Sequence, residues 1–283
     1  MPERDFLTAA VAIARSAGAI LMRHFGTVQV EYKGIADIVT AADRASETFI
    51  VERLQAEFPD HAIVGEEGTR TESSSGFRWY IDPLDGTTNF AHGLPVFAVS
   101  MGLEYHGRLL AGVVYNPADD TLYTAARGQG AHCNGRGLRV SPIAQLSDSL
   151  LATGFPSPKR TENPNIHFYQ AVTMRSHGVR RLGSAALDLC FVASGRFQGF
   201  WEFHLNSWDV AAGALIVEEA GGRLSDMLGQ PFTMDSPEAV ASNGHIHAEL
   251  LAVFRGVFEA PQAPALPSAA SYYQRRMAPP PSR

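Results

Sequence analysis

The apolar positions of this chain change period along its length, and each period marks an element. Phe6, Leu7, Ala10, Val11, Ala14, Ala17, Leu21 and Phe25 recur at three and four residues. That spacing predicts an amphipathic first helix, interrupted by Arg15 and Arg23. A strand-like stretch follows around Val28 to Tyr32, and Ala45, Phe49, Ile50, Leu54 and Phe58 predict a second helix over Arg44 to Phe58. Between 77 and 127 the pattern is mostly strands, at Phe77 to Ile81, Val96 to Leu103, Leu109 to Tyr115 and Thr121 to Ala125, with hairpin signals at Gly107 and Asn116-Pro117. The second half alternates. Leu150 to Thr153, Gly199 to Phe203, Arg223 to Ser225 and Ala239 to Ala241 read as strands. Asn165 to His177, Ser184 to Ala193, the stretch after Asp209 and His247 to Phe258 read as helices. No internal repeat is present, and this mixed order suits layers of helix and sheet.

Four polar segments interrupt the pattern where elements end. In Asp82-Pro83-Leu84-Asp85-Gly86-Thr87-Thr88-Asn89-Phe90, two carboxylates three positions apart close a strand. Proline stiffens the backbone between them, and Gly86 permits a sharp turn. The run reads equally as turn chemistry or as hard oxygen ligands beside amides that attract an anion, a setting for Mg²⁺ and a phosphate ester. In His61-Ala62-Ile63-Val64-Gly65-Glu66-Glu67-Gly68 the acids are either solvated or, if alternation continues, one of them faces inward. Asp43, after Ile38-Val39-Thr40-Ala41-Ala42, reads as the N-cap of the second helix, with a side chain that can face a site. Asp209, in Ser207-Trp208-Asp209-Val210-Ala211-Ala212-Gly213, opens a helix whose small residues suit close packing and which Gly221-Gly222 ends.

Composition narrows the class. A chain of 283 residues with 45 % hydrophobic content can bury a large core. The net charge of −6 argues against direct nucleic-acid binding through a basic surface. No uncharged apolar run reaches 18 residues, so no membrane span is expected. Cys133 and Cys190 show no metal spacing and allow at most one disulfide, which fits a cytoplasmic location. His24, His92, His106, His132, His167, His177 and His204 form no ligand pattern. The proline- and alanine-rich stretch over 260–283 reads as a disordered tail after a single domain over 1–259, itself two halves, 1–145 and 146–259.

Taken together, the four segments resemble the inositol monophosphatase family of metal-dependent, lithium-sensitive phosphatases. The Asp82–Phe90 run and Trp208-Asp209-Val210-Ala211-Ala212-Gly213-Ala214-Leu215-Ile216-Val217-Glu218-Glu219-Ala220-Gly221-Gly222 look like its two signatures. Gly65-Glu66-Glu67 and Arg180 to Asp188 match as well, and the likeness covers roughly residues 5 to 258. It implies a layered αβαβα sandwich and a homodimer. It also implies Mg²⁺-dependent hydrolysis of a small phosphate ester, most simply myo-inositol 1-phosphate. Fructose 1,6-bisphosphate and histidinol phosphate remain alternatives, and a binding role in transcription is a reading of another class. By the same resemblance two or three Mg²⁺ ions would use Glu66, Asp82, the Leu84 carbonyl, Asp85 and Asp209. Thr87 and Asp43 would orient the attacking water. Gly86 and Thr87 would hold phosphate, and Gly183, Ser184, Ala185 and Glu202 would line the alcohol pocket. Asn206 departs from the histidine common in the mammalian branch. The basic group Arg175, His177, Arg180 and Arg181 would serve an interface first, a second phosphate otherwise.

Overall fold

The computed structural model describes residues 3–27, 30–34, 37–155, 163–236 and 238–260. The expectations for Val28, Gln29 and the 261–283 tail lie outside the described residues. The elements follow in the order α1 (Glu3–His24), β1 (Val30–Gly34), β2 (Asp37–Thr40), α2 (Ala41–Glu57), β3 (Ala62–Gly65), β4 (Phe77–Asp85), α3 (Thr87–Ala91), β5 (Ala98–Tyr105), β6 (Arg108–Asn116), β7 (Thr121–Ala126), β8 (Ala131–Cys133) and β9 (Arg136–Gly137). The second half holds β10 (Leu150–Thr153), α4 (Asn165–Thr173), β11 (Gly178–Arg180), α5 (Ala185–Ala193), β12 (Gly199–Phe203), α6 (Ser207–Glu219), β13 (Arg223–Ser225), β14 (Glu238–Ser242) and α7 (His247–Glu259).

Alternation along the strands builds the layers, because successive side chains leave opposite faces of a sheet. In the seven-stranded sheet β3-β4-β5-β6-β7-β8-β9, Trp79, Ile81, Val99, Met101 and Val113 pack with α1 and α2. Tyr80, Ala98 and Val114 turn the other way, to α5 and α6. The five-stranded sheet β11-β10-β12-β14-β13 repeats the device. Ala152, Phe200, Ala239 and Ala241 face α5 and α6, while Leu151, Trp201 and Val240 face α4 and α7. The stack is therefore helix, sheet, helix, sheet, helix, the layered α/β sandwich anticipated above.

Small residues let the central layer sit close. Ala211 and Ala212 of α6 lie directly over Gly102 and Gly112 of β5 and β6. The helix ends as expected: Gly221 has φ +87°, and the Gly222 N–H returns to the Val217 carbonyl at 2.9 Å. In α1 the segment Phe6–His24 has a mean hydropathy of 1.4 and passes, by length and composition alone, for a helix able to cross a membrane. In the fold its apolar side, with Ala10, Ile13, Ala14, Ala17 and Leu21, is spent on the sheet core instead. Helix α4 stops at Thr173 rather than His177; residues 174–177 turn the chain into edge strand β11, too short to show alternation.

Candidate active site

Strand β4 runs beyond Ile81 to Asp85 and carries both signature aspartates. Its register with β5 slips between Asp82↔Ser100 and Asp85↔Ala98. That bulge tolerates Pro83, whose missing N–H would break a regular central ladder. β3 pairs only as far as Ile81, so among the described residues this end of β4 has no strand partner on that side. The Asp82 Oδ1 accepts from the Leu84 N–H at 2.9 Å, closing the loop on itself. Gly86 then turns the chain with φ +95°, and a side chain there would meet the Val96 carbonyl at 2.9 Å. Helix α3 starts immediately, so Gly86 and Thr87 supply its first amides, which have no carbonyl one turn back inside the helix.

Helix α2 approaches this turn from the outer layer. It starts at Ala41 with Thr40 as N-cap, so Asp43 is not the cap but the third residue of a capping box. Asp43 Oδ2 accepts from the Thr40 N–H at 2.9 Å and from its hydroxyl at 2.5 Å. Its Oδ1 meets the Thr87 hydroxyl at 3.2 Å, the pairing expected from the resemblance. The same hydroxyl lies 3.0 Å from the Leu84 carbonyl. A hydroxyl has one proton, so the two acceptors share it.

Asp209 sits in the first turn of α6, and its Oδ2 accepts from the Asn206 N–H at 2.7 Å. Asn206 thus caps the helix. Glu66 and Glu67 lie in a turn after β3 rather than on a strand, so alternation does not separate them. Glu66 hydrogen-bonds the Asp82 carboxyl, and the charge of Glu67 reaches Asp43. Of the two acids, Glu66 is the one with a hydrogen bond to a cluster carboxyl. Arg70 closes the turn by donating to the Gly65 and Thr69 carbonyls, and its guanidinium lies 4.7 Å above the Trp208 ring.

The far wall comes from α5 and β12. Ser184 caps α5, and both its hydroxyl (2.6 Å) and the Ala186 N–H (2.7 Å) bond Asp85 Oδ2. The hydroxyl of Ser184 is therefore committed to Asp85. Gly183 is held by Asn89, whose amide donates to the Leu182 carbonyl at 2.7 Å and, more weakly, to that of Gly183 at 3.4 Å. Glu202 lies against Gly154 so closely that a Cβ on residue 154 would clash with its carboxylate. A buried network fixes this contact: Trp201 Nε1 donates to Asn165 at 2.6 Å, and Asn165 donates to the Gly154 carbonyl at 2.6 Å. Arg181 stacks on Phe155 at 5.2 Å, and its charge reaches Glu202.

Electrostatics unite these groups. Burial first, and then the charges of Glu66, Asp85 and Asp209, hold the Asp82 carboxyl well above the usual range. Burial pushes Asp85 up to about 6, against the hydrogen bonds from Ser184 and Ala186. It pushes Asp209 to about 7 and Glu202 to about 8, with Asp85 adding repulsion in both cases. Asp43 rises to about 6, again mainly by burial. Asp85, Asp209 and Glu202 keep part of their surface accessible while densely surrounded by protein. Water reaches that exposed part and softens these shifts without reversing them. Among the described residues no three His, Cys, Asp or Glu side chains stand in finished metal-ligand geometry. Several of these carboxylate oxygens are tied to backbone or hydroxyl donors instead.

Three residues on these contacts were not singled out from the sequence. Ser46 donates to the Pro83 carbonyl at 3.0 Å, Glu47 holds the Glu66 turn, and Asn165 fixes Gly154 beside Glu202. The only available signal was helical spacing of Ser46 and Glu47 after Asp43.

The model of the inositol monophosphatase family matches residues 3–258. An inositol-1-monophosphatase of Mesorhizobium japonicum is 46 % identical over 256 residues, 89 % of this chain and 96 % of its own length. The Nus factor SuhB of Pseudomonas aeruginosa is 44 % identical, over 88 % of this chain and 95 % of its own. Among solved structures, the extragenic suppressor protein suhB of Bartonella henselae superposes with a TM-score of 0.85 at 42 % identity, covering 89 % of this chain and 98 % of that one. An IMPase of Thermotoga maritima gives 0.84 at 38 %, covering 90 % and 98 %.

Proposed function

Because this chain belongs to the inositol monophosphatase family and is a phosphoric monoester hydrolase, we propose that it hydrolyses myo-inositol 1-phosphate with the help of Mg²⁺. The carrying observation is the electrostatic coupling of Glu66, Asp82, Asp85 and Asp209 in one cluster: burial destabilises the charges of Asp82, Asp85 and Asp209, and Asp82 is further opposed by Glu66, Asp85 and Asp209. Hard oxygen donors under mutual repulsion fit a divalent cation, which would relieve the repulsion. Glu66, Asp82, the Leu84 carbonyl, Asp85 and Asp209 would hold two ions, with a weaker third by Glu66. When bound, the ions supply charge neutralisation of the phosphate, a lowered pKa for water and stabilisation of the leaving oxygen.

The chain's own groups do the rest. The Gly86 and Thr87 amides face the phosphate oxygens as donors. Thr87 orients the attacking water through its hydroxyl oxygen, while its proton goes to Asp43. A cation at the Leu84 carbonyl would leave Asp43 as the sole acceptor of that proton. Asp43, raised to about 6, is largely ionised at neutral pH yet basic enough to take up a proton from the Thr87–water pair. Water's oxygen bonds to phosphorus and the ester P–O bond breaks. Asp43 returns its proton to solvent, while the alkoxide takes a proton from solvent water and leaves as the alcohol toward Glu202. There the Glu202 carboxyl oxygens, whose charged form a bound cation would favour, accept hydrogen bonds from substrate hydroxyls.

Phosphate release by the purified protein with Mg²⁺, from myo-inositol 1-phosphate, fructose 1,6-bisphosphate and histidinol phosphate, tests the reading. Mg²⁺-dependent and Li⁺-sensitive release, fastest from the inositol ester, is expected. Release chiefly from another ester overturns the substrate, and release without Mg²⁺ overturns the mechanism.

A second reading rests on the relatives named Nus factor SuhB. It gives the chain a protein-binding role in transcription beside catalysis. Pull-down of transcription proteins by an Asp209→Asn variant tests it, and no capture rejects it. By the family resemblance we also propose a cytoplasmic location and a homodimer; light scattering checks the dimer, and a monomer at micromolar concentration overturns it.

A further inference from the structure

A buried glutamate outside the expected ligand set ties the Glu66 turn to α2. Glu47 is 4 % exposed and lies one helical turn after Asp43, on the buried face of α2. Its Oε2 accepts from the Glu67 N–H at 2.8 Å. Its Oε1 accepts from the Thr69 N–H at 3.1 Å and from the Thr69 hydroxyl at 2.7 Å. The approach is so close that a Cβ on Gly65 would stand 2.6 Å from Oε2. Three donors from one short turn thus converge on two oxygens of one carboxylate, and such charge-assisted bonds are the stronger kind.

We propose that Glu47 is a positioning residue for divalent-cation binding: it fixes the 65–69 turn so that Glu66 meets Asp82. The inference rests on the reading above, in which Glu66 and Asp82 hold a cation. The geometry supports a positioning role in two ways. The clamp grips the residues on both sides of Glu66 and leaves the Glu66 carboxylate to Asp82. The helix that supplies the clamp also supplies Asp43 to Thr87 and Ser46 to the Pro83 carbonyl. One face of α2 therefore sets the relative placement of the Glu66 turn and the Asp82–Thr87 loop. Groups that orient metal ligands in this way are worth about 10- to 100-fold in metal affinity.

A glutamine at 47 keeps the size but offers one acceptor oxygen and an NH₂ that opposes the remaining N–H donors. The test measures Mn²⁺ binding to the full chain by electron paramagnetic resonance, with amide hydrogen exchange at Glu67 and Thr69 as a readout independent of the ion. In Glu47→Gln the Mn²⁺ dissociation constant should rise at least about tenfold, and both amides should exchange faster. Thr69→Val removes only the hydroxyl donor and should act in the same direction to a smaller degree, which covers the case in which Glu47→Gln does not fold. Wild-type Mn²⁺ affinity in folded Glu47→Gln overturns this inference alone. A wild-type protein that binds no Mn²⁺ overturns the cation reading and this inference with it.

Discussion

Acidification should destabilise this fold through one residue that takes no part in catalysis. His247, at the start of α7, is fully buried. Its Nε2 lies 3.0 Å from the Ser225 hydroxyl and its Nδ1 2.8 Å from that of Ser242. Ser225 donates to the Asp226 carbonyl at 2.7 Å and is left to accept from Nε2–H. Ser242 accepts from the Gly244 N–H at 3.0 Å and can donate to Nδ1. The neutral ring is thus satisfied on both sides. A second ring proton would face a hydroxyl already accepting one bond, in a buried place near the Arg223 charge. Burial, with Arg223 adding to it, lowers the pKa from 6.5 to about 4. Because the folded value is depressed, the unfolded chain binds the proton first. Stability is therefore complete above 6.5 and falls as the pH drops toward 4. A difference of about 2.5 units corresponds to about 3 kcal/mol in total, of which about 2 kcal/mol is lost between pH 7.5 and 5.0. Urea unfolding of metal-free protein at these two pH values measures it, with His247→Asn as the non-titrating reference. The site carboxylates act with the opposite sign in both proteins, so the wild-type-minus-variant difference isolates the histidine. An equal pH response in the two proteins would falsify the assignment.

Three further perturbations probe the cleft and its support. Asp209→Asn should cut turnover at least about a hundredfold, while the metal-free variant melts higher at pH 8. The wild-type carboxylate, raised to about 7, is charged at a cost there; an unchanged rate refutes its role, and a lower melting temperature refutes the repulsion. Gly154→Ala should displace Glu202, lowering kcat/KM for the inositol ester about 10- to 100-fold, as expected for a lost charged hydrogen bond. Phenyl phosphate, which lacks the hydroxyls, should lose little, and equal losses on both esters place the damage elsewhere. Ser46→Ala removes the bond to the Pro83 carbonyl and should cost about 1 kcal/mol in urea unfolding; no change would show that the contact is neutral.

Where the sequence succeeded and failed follows from which surfaces are apolar. Strands such as β5 and β6 and the crowded α6 were legible because their period or small residues report apolar packing. Helix α2 was legible as a helix from Phe49, Ile50, Leu54 and Phe58, but not in its orientation. Its buried face includes Asp43, Ser46 and Glu47, which read as solvated in any hydrophobic pattern. The Asp82–Thr87 motif was legible because proline and glycine punctuate it. The turn after β3 was not, because a strand end leaves no signal in composition, so strand alternation does not apply to Glu66 and Glu67. Glu202 could be placed only by resemblance. Gly154 and Asn165, which position it, are 48 and 37 residues away in sequence (202 − 154 and 202 − 165). They meet it because β10 pairs with β12.

The placement of the carboxylates between two sheets has a consequence for how the molecule can be taken apart. Glu66, Asp82 and Asp85 arrive with the seven-stranded sheet, whereas Glu202 arrives with the five-stranded one and Asp209 with the helix packed between them. If the chain were cut near residue 145 and expressed as two fragments, neither would carry a complete cluster. Recovered phosphate release would then act as a reporter of reassembly, silent until the two pieces associate in register.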